Sequence, residues 1–509
     1  MDILYLATRK GLKSMNLKLM IASTLCLTTI GFSSCTPEKD APTLSKQSKS
    51  APLSFRGLAS NESVIDEVNK KIVSLDSSYK VVPLINELIT LTEQKEQQDN
   101  TKLQLYKLIL RPALKLDGIV WRFRNIVEES GALHLAALGT ITKAFHRDYM
   151  YGSHVKAALE YITGPTTTGA PMFKNLGEAQ DFLEKEIKPE LERSLRELIS
   201  LTEKLEDNWK LEFDAHLLTG VDASKNITFI SEKQRFKTVI KPHLHYGVAA
   251  LHRALGFVNI AINYNIDQLP TFIDKLVGKT AINNMGLSKT LTRGLPQITT
   301  PKEASEILNS GKILSNKKRF ASFLTLRKTK EDSQENIKSA MRHFKSAAKS
   351  EKAGLLGTID ASDLNNGSRY IINPNFLEIG KESTVRRLEQ MEDLYNSALQ
   401  KKTKIVTSAT TGAQTKVNLA ALFTAHSDLK VFLPKPSDFE NIKRGQSLKW
   451  KSGRKEFGWN YQYGKPISYP DPTFGGFLPE ATNKNIYSIV RNMKLTESLK
   501  VFSDYLPLP

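Results

Sequence analysis

Cysteine is nearly missing from this chain: two residues in 509, Cys26 and Cys35, both close to the start. A fold stapled by disulfides is therefore excluded, and packing alone must hold the body together. Long apolar runs are missing as well. The most apolar stretch, Leu19 to Phe32, is shorter than the roughly 20 residues that cross a bilayer as a helix. Ser23, Thr24, Thr28 and Thr29 interrupt it, so a permanent transmembrane helix is not expected. Negative charge is in deficit, with 53 Asp and Glu against 72 Lys and Arg and a formal charge of +19. Such an excess draws a protein towards polyanions, whether nucleic acid, anionic headgroups or wall polymers.

Motifs that carry catalysis are equally scarce. Nine histidines are present, and His243, His245 and His252 lie close together in the chain. No HExxH, CxxC or histidine-rich tract supplies the three or four convergent ligands that zinc needs. Gly278-Lys279-Thr280 has Ile273 where a phosphate loop needs its leading glycine. Ser346 and Lys349 share the spacing of a penicillin-binding nucleophile motif but lack its partner motifs. Glu129-Ser130, a pair found in lytic transglycosylases, continues into an alanine- and leucine-rich run instead of a cleft-forming one. No catalytic residue, metal ligand or cofactor is assigned.

What is present begins with an address. From Met15 the chain offers Lys18 as a positive start, Leu19 to Phe32 as a short apolar region, and the small residues Ser33 and Ser34. The tetrapeptide Phe32-Ser33-Ser34-Cys35 resembles the lipobox of bacterial lipoproteins, with Phe32 where that family prefers leucine. The resemblance covers this segment only. It implies cleavage before Cys35, attachment to membrane lipid through the acylated Cys35 thiol, removal of Cys26, and Met15 as the initiator. An ordinary cleaved signal and a weak membrane anchor are the alternative readings of the same segment. Thr36 is not the aspartate that retains many Gram-negative lipoproteins at the inner membrane, which implies an outer-membrane anchor in a host that has one, facing periplasm or surface. About +16 of the charge stays in the mature chain. Export makes nucleic acid an unexpected partner and an anionic envelope polymer or a protein the expected one.

The rest of the chain divides by texture into residues 1–34 (signal), 35–56 (lipidated cysteine and tether), 57–300 (helical domain), 301–400 (basic helical region) and 401–509 (mixed, aromatic-rich region). Thr36 to Pro52 is rich in Ser, Thr, Pro and Lys, as a tether is. Helical periodicity starts at Asn61 with Val64, Ile65, Val68, Ile72 and Val73, and breaks at Asp99-Asn100. The longest predicted helix runs from an Asn175 cap to about Trp209, with a bend at Pro189. Gly286 to Pro301 is the candidate boundary. Two strands around Thr410 to Ala413 read as a β-hairpin, and Asn485 to Val501 as a last helix. The fold class predicted is mainly α, a helical bundle or helical array with a small hairpin-containing, irregular C-terminal region.

Two surfaces carry binding chemistry. Lys338, Arg342, Lys345 and Lys349 are spaced four, three and four apart, so a helix places them on one face as an anion-binding stripe. Trp450, Lys451, Arg454, Trp459, Tyr461 and Tyr463 interleave aromatic planes with cations, a combination that suits sugar rings, headgroups or a partner protein. The function expected is a lipid-anchored envelope protein acting as a non-enzymatic binding or scaffolding module. An envelope hydrolase with a site assembled from scattered residues, and a secretion or surface-assembly accessory lipoprotein, are the alternatives. Cells given a labelled fatty acid should mark the wild type and not Cys35→Ala; a Cys35→Ala chain that keeps both the label and its membrane fractionation sinks the lipoprotein reading.

Overall fold

The computed structural model describes residues 61–94, 97, 99–129, 153–214, 217, 236–271, 320–361, 367, 369–407, 414–432, 470–485 and 489. Eleven α-helices of six or more residues organise them. Ten are α1 (Asn61–Val73), α2 (Val81–Glu93), α3 (Thr101–Leu110), α4 (Ser153–Thr163), α5 (Leu176–Phe182), α6 (Lys188–Lys204), α7 (Lys241–Ala261), α8 (Lys330–Ala361), α9 (Pro374–Ile379) and α10 (Lys381–Leu399); the eleventh, Arg124–Glu129, follows the short turn Ile119–Arg122. Two antiparallel two-stranded ribbons join them, β1 (Lys210–Asp214) with β2 (Phe236–Ile240) and β3 (Lys404–Thr407) with β4 (Gln414–Val417). The class is mainly α, as the periodicity predicts. None of the described helices is long and apolar enough to cross a membrane.

Local chemistry starts and stops these elements. Val64, Ile65 and Val68 bury one face of α1, while Val73 at its end is exposed. Asn100 caps α3 by accepting the Leu103 N–H at 3.1 Å, which makes the predicted break a helix start. Gly118 sits at φ +57° with Thr166 so near that a side chain would collide with it. Beside it the buried Asp117 carboxylate accepts the Thr167 and Thr168 N–H groups at 2.9 and 3.0 Å and the Thr168 hydroxyl at 2.8 Å. That carboxylate fixes the loop after α4.

The stretch predicted as one long helix is built in three pieces. Asn175 caps α5, accepting the Glu178 N–H at 2.9 Å. A π-helical turn, Leu183–Ile187, follows, and α6 begins with Pro189 in its first turn. Proline has no N–H to give the preceding turn, and the wider π turn absorbs that gap. The longest described helix is instead α8, of 32 residues. The predicted hairpin is present, with Lys404 opposite Val417 and Thr407 opposite Gln414. The candidate boundary at Gly286 to Pro301 and the helix predicted after Asn485, apart from Asn485 and Ile489, lie outside the described residues.

Two apolar cores share α7. Leu244, Val248, Leu255 and Val258 point into a core built with α1, α3 and α6. Phe257 and Ile260 lie against a second core, formed by Ile337, Met341 and Phe344 of α8 with Leu388, Met391 and Tyr395 of α10. Helices α7 and α8 run antiparallel, since Gly256 meets Phe344, Tyr246 meets Gly354 and Pro242 meets Gly357. Glycine and alanine at the seam let the backbones approach closely. A methyl group at Gly256 would stand 2.7 Å from the Phe344 ring. Overpacking of that kind costs about 1–3 kcal/mol. Gly256→Ala should therefore lower stability in urea unfolding, although alanine is the better helix former; a stability gain would show that the seam is looser than described.

Candidate functional site

The cationic stripe lies on the outer side of α8. Lys338, Arg342 and Lys349 are exposed and Lys345 is half-buried. From Lys338 to Lys349 the face covers about 16 Å at the helical rise of about 1.5 Å per residue. The four side chains share a face but differ in availability. Arg342 makes an ion pair with Glu335 at 2.7 Å, both partners being well exposed, so a polyanion would compete for it at little cost. The first turn of α8 carries Glu331 and Asp332, where acids complement the positive end of the helix dipole. The exposed cations of the stripe therefore lie over the middle of the helix.

The basic residues just before α8 have a different role. Arg327 reaches Asp181 of α5 and the carbonyls of Gly177 and Ile262, and Lys328 pairs with Glu184 in the π turn. The segment before α8 also exchanges backbone bonds with the end of α7: Asn265 N–H to Thr325 C=O and Leu324 N–H to Asn265 C=O, both at 2.8 Å. These two cations dock the start of α8 and add nothing to the stripe. Trp450, Lys451, Arg454, Trp459, Tyr461 and Tyr463, and likewise Cys35, lie outside the described residues.

A groove of about 500 Å³ opens between α2, α3 and α6. Its floor is Arg111, whose Nε donates to Glu190 at 2.6 Å while its Nη1 donates to both oxygens of Glu197 at 2.8 and 2.9 Å. Burial alone would lower the guanidinium's pKa; the hydrogen bonds it donates to Glu197 and Glu190, with the negative charge of both, outweigh it and hold the group above its ordinary value. Lys115 pairs with Glu186 at 2.7 Å on the rim. General acid–base catalysis needs a carboxyl group free to exchange a proton with substrate. Here Glu190 and Glu197 are both taken up by Arg111. The groove reads as a clamp between α3 and α6.

No protein-family model, curated protein or solved structure matches the chain.

Among the described residues the histidines do not converge on a common point. His243 Nδ1 accepts the Ile240 N–H at 3.2 Å and its ring stands edge-on to Tyr370. Burial pushes its pKa down to about 3. His252 instead meets His343 of α8, with the two Nδ1 atoms 2.9 Å apart. Among the described residues no group of three His, Cys, Asp or Glu side chains could hold a metal ion. Sequence reasoning missed Arg111 and His343, because their partners lie 79 and 91 residues away and no local pattern marks such a pairing. Breaking a buried ion pair by removing one partner costs about 3–5 kcal/mol. Arg111→Met, which takes from the buried Glu190 its nearest cation, should show a loss of that order in urea unfolding, whereas Lys80→Met, at an exposed pair with Asp76, should leave the midpoint unchanged.

Proposed function

We propose that this chain is a lipid-anchored cell-envelope protein that binds an anionic envelope polymer without catalysing a reaction. The observation that carries the reading is the run of exposed cations over the middle of α8. Phosphate-bearing polymers and headgroups repeat their charge, and a rigid helix presents its cations at a repeat as well, so several contacts form without ordering a flexible loop. The formal charge of +19 supports the same choice of partner by raising its local concentration near the whole surface. A tether from Cys35 to residue 56 would keep the stripe within reach of the bilayer while leaving α8 free to face the polymer.

The aromatic and cationic set at Trp450, Lys451, Arg454, Trp459, Tyr461 and Tyr463 is the second contact in this proposal, since stacked rings beside cations favour sugars that carry charge. Scaffolding follows from the same arrangement. A protein held to lipid at one end and to a polymer at the other links the two layers.

Purified Thr36 to Pro509 should sediment with wall sacculi and with anionic liposomes at low salt, less at high salt, and not with neutral liposomes. Each cation near an anionic surface contributes about 1 kcal/mol. Lys338→Ala combined with Lys349→Ala should therefore weaken binding about thirtyfold at low salt. Binding that is indifferent to salt and to both substitutions would remove the polyanion reading.

A further inference from the structure

We infer that the seam between α7 and α8 contains an acid-sensitive latch, the facing imidazoles of His252 and His343, which holds the two helices together while at least one ring is neutral and loosens them when both take up protons. The inference does not depend on the proposed function.

The geometry sets the proton count. The two Nδ1 atoms are 2.9 Å apart, with ring centroids 5.2 Å apart and the planes at 46°. At that separation one nitrogen donates and the other accepts, so exactly one hydrogen lies between them in the closed state. Two imidazolium rings would aim two N–H donors at each other. The seam would then lose its hydrogen bond and gain a repulsion between like charges.

The surrounding charges oppose protonation. Lys188, at the start of α6, and Arg342, on α8 itself, both act on His343, and His343 in turn acts on His252. On α7 the neighbouring Arg253 is committed to Glu351 of α8. From α10, Glu389 pairs with Lys352, two turns further along α8. Lys188 donates to Asn336 at 3.3 Å, which keeps the ammonium close to the seam. A divalent cation between the rings meets the same two positive charges, and only two nitrogens face it, so a proton-operated pair fits this environment better than a metal site does.

Burial first, and then these charges, push both rings down to about 4. A free imidazole titrates near 6.5. Between those values the unfolded chain binds more protons than the folded one, so the contribution of the pair is complete above about pH 6.5 and is lost progressively as pH falls towards 4. His243 and His245 on the same helix are shifted in the same direction, by burial first, and add a background of the same sign.

The full chain should be unfolded by urea at pH 7.5 and pH 5.0, alongside the double variant His252→Gln with His343→Gln, whose amides can bond to each other without titrating. The folding equilibrium constant of the wild type should fall by roughly tenfold more than that of the variant, a figure discounted for the partial exposure of the rings. Equal losses in the two proteins overturn the inference. Hydrogen exchange on the wild type keeps the test independent of whether the variant folds. After correction for the intrinsic effect of pH, amides of α7 and α8 should lose protection at pH 5.0 relative to those of α2 and α3. Unchanged relative protection overturns the latch.

Discussion

Helix α7 has no solvent face, and the rest of the structure is arranged around that constraint. Every residue from Lys241 to Ala261 is buried or half-buried. One side closes the first core through Leu244, Val248, Leu255 and Val258, and another meets the second core through Phe257 and Ile260. Burying an aliphatic or aromatic side chain of this size contributes about 1.5–3 kcal/mol. A helix surrounded in this way cannot be large on every side: Ala249, Ala250 and Ala254 are buried, and Gly247 and Gly256 supply close approaches to Leu198 of α6 and Phe344 of α8.

Several polar groups at this centre are matched, although neither side-chain amide atom of the buried Asn259 meets a hydrogen-bond partner among the described residues. Asn336 donates to Asn263 at 3.2 Å, Asn263 donates to the Asn259 carbonyl at 2.8 Å, and Gln180 of α5 donates to the carbonyls of Ala261 and Tyr264. Arg253 and Glu351 add an ion pair within the seam. Buried polar contacts of this kind contribute little net stability, but a slipped register would leave each donor without an acceptor. Apolar contacts hold α7 in place and the polar ones fix where along its length α8 crosses it.

Much of this was legible in the sequence where a single helix side decides the pattern. Val64, Ile65 and Val68, or Ile85, Leu88 and Leu91, repeat at three and four because the other side of their helix faces water. The β3–β4 pair was legible from its alternation and central turn. The stripe on α8 was legible as a spacing, yet the pairing of Arg342 with Glu335 and the half-burial of Lys345 depend on neighbours that spacing does not describe. Arg327 and Lys328 carry the same positive charge as the stripe and serve as docking groups, a difference set by Asp181 and Glu184 well over a hundred residues earlier. In α7, apolar and small residues occupy all sides, so no periodic contrast reveals which neighbour each side meets.

The π turn at Leu183–Ile187 works as a phase shift in the α5–α6 rod. An ordinary helix advances 100° per residue, so one residue of slack re-aims everything beyond it by more than a quarter of a circle. Before the turn, Gln180 faces the last carbonyls of α7; after it, Leu198 lies against Gly247 near the opposite end of that helix. A continuous rod thereby addresses two ends of one neighbour with two different faces. Losing a single residue within the turn would leave a straighter helix and a mismatched protein, which makes the length of this segment as much a part of the design as its side chains.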